Sequence, residues 1–391
     1  MKMSNIGTKI QAINTGKLEK SLDYLWDLNK TLPKEKKKAA LILGAPGIGK
    51  SQIAQSVAKK RGCKFIDFRL LTMSETDLKG IPFPSEDNKK AIFLHLDILP
   101  DVERDGEEGI LLLEELTSAN RSLMSTMYQL VLDRELGTYK LPDGWMIIAT
   151  GNREEDLGEF YVMPAPLADR FLIYELASSG YEFLDEWIAW AYEHNISVEI
   201  IAYVRKFSKG LHDFDPDLHE EGMIVFPTPR SWASLSDIIE YDKVKNGGEE
   251  LSEEAKGMVL AAVGPIHGNQ FINFYHCRNN LPNVDDILNG RPYEPIRKDQ
   301  ENELALTISS LVDLAKDQYM GDEVGPKGKE YMFNIVKFLN EVAETAGLEY
   351  FVIGMHQITS INKELISRLI FTEMDIPEFD EMIMKYAHLL S

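Results

Sequence analysis

Cysteine is scarce. Cys63 and Cys277 are the only two in 391 residues, too few for a disulfide framework and too far apart to form a metal-ligand pair. Two free thiols fit a reducing compartment. Long apolar runs are missing as well: none approaches the roughly 20 residues that cross a bilayer. The opening "MKMSNIGTKIQAINTGKLEK" lacks the apolar core of a signal peptide. These absences predict a cytoplasmic protein without a membrane partner. Basic charge is outweighed, with 42 Lys and Arg against 63 Asp and Glu, a net charge of -21. That disfavours a surface built to grip nucleic acid, and no zinc-finger, RRM or basic aromatic pattern is present. Internal repeats and low-complexity tracts are absent too.

What is present predicts two domains or more, since 391 residues exceed one ordinary core. After the charged run "KEKKK" (Lys34 to Lys38), short apolar runs alternate with helical stretches as far as Leu176. The runs are "AALIL", "KFIDFRL", "ILLL", "WMIIAT" and "FLIYEL". This alternation predicts a parallel sheet covered on both faces. Beyond Leu176 the apolar residues recur at three- and four-residue spacing, in "YEFLDEWIAWAYEHN", "SVEIIAYVRKFSKG", "PRSWASLSDIIEY" and "EEAKGMVLAAVG". These read as amphipathic helices. "GRPYEPIRK" reads as a linker, and further helices follow it. The predicted division is a helical lead-in (1–38), an α/β domain (39–178), a helical lid (179–290) and a helical C-terminal extension (291–391).

"LILGAPGIGKSQIAQSVAKKRG" contains G-x-x-x-x-G-K-S between a strand and a helix, the context a phosphate-binding loop requires. Gly44, Gly47 and Gly49 let successive backbone N–H groups turn inward toward phosphate oxygens. Lys50 supplies a point charge for the β- and γ-phosphates, and the Ser51 hydroxyl can ligate Mg²⁺. The predicted nucleotide-binding segment is therefore Gly44, Ala45, Pro46, Gly47, Ile48, Gly49, Lys50 and Ser51. Gly62 is placed to end the helix. No N-K-x-D guanine-reading motif occurs, because "NKTL" and "NKEL" lack the final Asp, so ATP fits better than GTP.

"ILLLEELTSANR" runs four aliphatic residues into Glu114 and Glu115. Two buried, adjacent carboxylates are costly unless something offsets them. A phosphate loop needs a carboxylate at a neighbouring strand end to hold Mg²⁺. Glu114 is expected to face the metal and Glu115 to activate the attacking water. The competing reading is two surface glutamates opening a helix. Glu114 is itself a departure, since Asp is usual there and Mg²⁺ demands strict geometry.

The order of the phosphate loop, "LLLEE", "ATGN" and "PLADRF" resembles the MoxR-type AAA+ ATPases of the helix-2-insert group. "RLLTMSETDLKGIP", "LVLDRELGTYKLPDGWMIIATGN" and "FPTPRSW" are closer still to the MoxR-like ATPases paired with von Willebrand factor A domain proteins. The likeness runs from about Leu41 to Gly290. It implies a three-layer αβα P-loop domain, an all-α lid, and a homo-oligomeric, hexameric ring that remodels a protein partner. It assigns Asn152 to the sensor 1 position, Arg170 to the arginine finger reaching a neighbouring subunit, and Arg230 to sensor 2 at the start of a lid helix. Arg134, in "LDREL", competes with Arg170 as the finger. Residues 78–109, with Ile81 to Gly109 at their heart, fall where the family carries its insert. Two other readings stay open: a nucleotide-dependent scaffold that does not hydrolyse, and a nucleic-acid motor.

Overall fold

The computed structural model describes residues 11–370, except 75, 76, 79, 87, 88, 95, 96, 157–160, 162, 249 and 298, and the side chains of 121, 278 and 279. The predicted extension beyond residue 370 lies outside the described residues, as do parts of the predicted insert. The chain divides into two compact units, one ending at Ser178 and one beginning at Ser179.

The first unit is built on β1 (Ala12–Ile13), α1 (Thr15–Thr31), β2 (Ala39–Leu43), α2 (Lys50–Arg61), β3 (Lys64–Arg69), β4 (Ile81–Pro84), β5 (Ala91–Leu94), α3 (Val102–Asp105) and β6 (Glu108–Glu114). It continues with α4 (Arg121–Asp133), β7 (Glu135–Leu136), β8 (Tyr139–Lys140), β9 (Gly144–Gly151), α5 (Ala165–Ala168) and β10 (Phe171–Leu176). Six strands make one sheet in the order β1-β10-β2-β9-β6-β3, and every pairing is parallel. Ala39 to Ile42 and Ile110 to Leu113 are buried. That is why these strands read as continuous apolar runs: a parallel strand covered on both faces has no solvent side to alternate toward.

Close packing fixes some residue choices. A Cβ at Gly109 would come within 2.7 Å of the Trp145 ring, so glycine there admits the indole, which donates to the Gly106 carbonyl at 3.1 Å. Helix α2 ends as expected. Gly62 takes a left-handed conformation (φ 65°), and the Cys63 N–H closes back on the Ala58 carbonyl at 3.1 Å. Arg61 and Lys60 on this helix pair with Asp23 on α1, and Arg61 also with Asp27. The sequence reading missed the short edge strand β1 and the hairpins β4–β5 and β7–β8. In β4–β5 the register places Ile81 opposite Leu94 and Phe83 opposite Ile92, and all four side chains are exposed.

The second unit contains helices and no strand among the described residues. Its principal helices are α6 (Tyr181–Glu193), α7 (Val198–Lys206), α8 (Pro216–Glu220), α9 (Pro229–Asn246), α10 (Glu253–His276), α11 (Val284–Leu288), α12 (Glu301–Ala315), α13 (Pro326–Thr345), α14 (Leu348–Ile361) and α15 (Lys363–Arg368). Helix α10 is broken at Gly264 (φ 80°), one residue before Pro265, where proline removes a donor and crowds the preceding turn. Helices beyond residue 290 pack on those before it, α12 against α7 and α14 against α6, so they share one unit. The sequence reading passed over α14, whose apolar residues are too evenly spread for a clear stripe.

Candidate functional site

Register decides what meets at the carboxyl edge of the sheet. Leu43 lies beside Gly151, Leu113 beside Ala149, and Arg69 beside Glu114. The four strands β2, β9, β6 and β3 therefore end side by side. The residues just past their ends share one edge, where open α/β sheets place their ligands.

The loop after β2 bends through Gly47 (φ 77°) and Gly49 (φ 94°), conformations an L side chain rarely takes. Gly44 is held to small size differently: a Cβ there would lie 2.8 Å from the Ile48 side chain and 3.2 Å from the Leu176 carbonyl. Helix α2 begins at Lys50 with no acidic residue in its first turn, so its positive end is not offset locally. Lys50 Nζ donates to the carbonyls of Gly44 (2.6 Å) and Ala45 (2.8 Å) and to Asn152 Oδ1 (3.0 Å). The loop lysine and the polar residue at the tip of β9 are thus in direct contact.

Ser51 Oγ donates to Glu114 Oε1. These are two oxygen donors side by side, the hard donor type that Mg²⁺ prefers while keeping several waters. The oxygen-only pair fits that ion. Glu115 follows in a left-handed conformation (φ 58°), uncommon for a residue with a Cβ. It is exposed, and its carboxylate has no ion pair or hydrogen bond among the described residues.

Two residues unnoticed in the sequence complete this edge. Arg69 Nε lies 3.3 Å from Glu114 Oε2 and 3.5 Å from Asp67 Oδ2. Burial and the adjacent Glu114 carboxylate push the Asp67 carboxyl above its ordinary range, against the pull of Arg69. Thr117, almost fully buried, donates from Oγ1 to the Asn152 carbonyl at 3.0 Å, tying the loop after β6 to the loop after β9. A Cβ on Gly151 would collide with it at 2.6 Å. The signal for Thr117 was its place two residues after Glu115; nothing local marked Arg69, whose neighbour is set by strand register.

Arg153, next to Asn152, is clamped by Asp156 (2.8 Å) and Glu175 (3.0 Å). Those hydrogen-bonded carboxylates outweigh partial burial and raise its already high pKa. The clamp holds the Asn152 loop against β10.

The arginines separate. Arg134 does not lie at the surface as a competing finger must. It is 4% exposed, and its guanidinium donates to the carbonyls of Pro142 (3.1 Å) and Trp145. Burial lowers its pKa. That placement removes it as a candidate. Arg170 is exposed just before β10, and its side chain has no partner among the described residues. In the second unit, Arg230 is exposed in the first turn of α9. That helix opens with a capping box between Thr228 and Ser231 and with Pro229 at its first position. Arg230 also lacks a side-chain partner among the described residues.

Residues 39–171 match the family model described as AAA domain (dynein-related subfamily). Among curated proteins, the chain is similar to the Lon protease of Orientia tsutsugamushi (strain Ikeda), 23% identical over 325 residues. It is also similar to the Lon protease of Erwinia amylovora, 25% identical over 321 residues. Each match takes in 78% of this chain and 36% of that protein, so the chain spans about a third of the length of these relatives. Among solved structures it is similar to the Thermotoga maritima RuvB Holliday junction branch migration motor, at 15% identity over 87% of each chain with a TM-score of 0.39. A further RuvB structure from that organism matches at 16% identity over 81% of this chain and 92% of that one, with a TM-score of 0.40. Taken with the parallel sheet and its phosphate loop, the family match over residues 39–171 makes this unit a P-loop AAA fold and supports an AAA+ ATPase.

Proposed function

We propose that this chain is a Mg²⁺-dependent ATPase of the MoxR type that works as a homo-oligomeric ring, hexameric in this reading, and remodels or assembles a protein partner. The observation that carries the hydrolytic part is the convergence at one sheet edge. Lys50 meets Asn152 at 3.0 Å, and Ser51 meets Glu114, with Glu115 turned outward beside them.

The roles follow from chemistry. The N–H groups of the Gly44–Ser51 loop bind the phosphates, and Lys50 leaves its carbonyl acceptors to pair with phosphate oxygens. Ser51 and Glu114 hold Mg²⁺, which supplies charge neutralisation at the phosphates. Glu115, without a competing partner among the described residues, accepts a proton from the attacking water. Asn152 orients that water or the γ-phosphate. Arg170, exposed and unpaired among the described residues, reaches the active site of a neighbouring subunit and stabilises charge on the transferred phosphoryl group. Arg230 takes the sensor 2 role that the resemblance implies. The exposed apolar face of β4–β5 is the partner-facing part of the insert, and a von Willebrand factor A domain protein is the partner class suggested by the resemblance. The net charge of -21 favours a protein over nucleic acid.

Phosphate release tests this directly. Arg170→Ala is expected to abolish hydrolysis while nucleotide affinity stays within about threefold. Mixing it with Glu115→Gln should restore part of the activity if the finger acts between subunits. Activity that stays proportional to protein concentration down to fully monomeric material would refute the ring. A chain that binds nucleotide but shows no hydrolysis to lose is the non-hydrolysing scaffold.

A further inference from the structure

Glu114 stands where a shorter Asp is usual, and the extra methylene adds a freely rotating bond to a group that must hold a metal of strict geometry. Its two carboxylate oxygens have different neighbours. Oε1 accepts from Ser51, while Oε2 faces Arg69 Nε at 3.3 Å. Arg69 is placed for this by register, since it lies directly beside Glu114 where β3 pairs with β6. Asp67, two residues earlier and so on the same face of β3, sits 3.5 Å from the same Nε.

We propose that Arg69, held by Asp67, is a positioning residue that fixes the Glu114 carboxylate for the metal. The inference rests on Glu114 being a metal residue, as proposed above. Contacts at both oxygens select one orientation of a planar group that would otherwise turn. Outer contacts of this kind orient ligands at many metal sites. The arrangement is consistent with it. An arginine alone beside a metal ligand would repel the cation, but the Asp67 carboxylate, 3.5 Å from the same guanidinium nitrogen, offsets it. Stability does not explain Arg69, whose side chain is 69% exposed; ion pairs that open to water contribute little to folding. Its substitution should therefore leave the fold intact, which keeps the effect on the metal separable.

The experiment measures Mn²⁺ binding to the full chain with saturating ADP, read by electron paramagnetic resonance, with thermal melting as the folding check. Arg69→Ala is expected to weaken Mn²⁺ binding about tenfold or more without moving the melting temperature. Arg69→Lys keeps the charge but loses the planar group and should fall between the two. In the Glu114→Asp background the shorter carboxylate no longer reaches Arg69, so Arg69→Ala should then change binding less than about twofold. Unchanged or tighter binding in Arg69→Ala overturns the proposal, as does an equal loss in the Glu114→Asp background. Glu114→Ala separates the two levels. If it leaves Mn²⁺ binding unaltered, the metal assignment itself is wrong. If it abolishes binding while Arg69→Ala does nothing, only the bracing role fails.

Discussion

Two corners of the first unit share one backbone conformation and differ in everything else. Glu115 has φ 58° and Arg134 has φ 57°, the left-handed region that costs a residue with a Cβ about 1–2 kcal/mol. Arg134 is buried and donates to carbonyls that close the turn around β7–β8. Its strain is held by the contacts it makes. Glu115 is exposed, and its side chain has no such contacts among the described residues. Its strain is held instead by the buried residues that follow, Leu116, Thr117 and Ser118. A left-handed corner that grips its surroundings is a structural device. One that is imposed by its surroundings, with no side-chain partner among the described residues, fits the catalytic role proposed for Glu115.

Substitutions at the two corners can break that contrast. The largest effect is expected from Glu115→Gln: a fall in phosphate release of about a thousandfold, some 4 kcal/mol in barrier, with no change in melting temperature. Retained activity would remove Glu115 from the chemistry. Next comes Arg134→Ala, expected to destabilise by about 2 kcal/mol in urea or thermal unfolding because carbonyls are left unpaired. Hydrolysis per folded molecule should survive; a selective loss of activity at full stability would return Arg134 to the list of fingers. Smaller still in its effect on stability is Glu115→Gly, which removes the Cβ and should stabilise by about 1 kcal/mol, with hydrolysis lost as in Glu115→Gln. A destabilised Glu115→Gly variant would mean the glutamate was making a structural contact.

The smallest effect lies away from both corners and sets the scale for an ordinary ion pair. Partial burial raises the Asp23 pKa, but Arg61 and Lys60 outweigh it and hold the carboxyl below its usual range. A depressed acid contributes stability above the unfolded carboxylate pKa of about 4 and loses it as pH falls through the folded value. The stability gap between wild type and Asp23→Asn, read by urea unfolding at each pH, should thus be present at pH 7 and close below about pH 4. It should amount to no more than about 1 kcal/mol.

Local signals made much of the first unit legible. The glycine spacing and Lys50–Ser51 marked the phosphate loop because only those residue types can wrap a phosphate. The apolar runs marked the buried parallel strands because a two-faced strand cannot alternate. The short edge strand β1 and the two hairpins were not legible. Strands of two to four residues carry too little pattern, and the exposed apolar face of β4–β5 imitates a buried one. Arg134 misled for a related reason: a charged residue after a helix reads as surface, and only the packing around Trp145 shows that it is interior.

The sequence by itself determined the chemistry available, namely a phosphate cradle, a hydroxyl, two adjacent carboxylates and a polar strand tip. Those depend on residue type and short spacing, which any segment carries with it. The tertiary structure alone decided which of these groups meet. Strand order β2-β9-β6-β3 put Asn152 against Lys50 and Glu114 against Ser51, and the pairing register brought Arg69 to Glu114 from 45 residues away (114 minus 69). A one-residue slip in that register would turn the side chain to the opposite face. The buried Phe68, beside Leu113 in the core, holds edge strand β3 in that register, and no local stretch of sequence encodes the pairing.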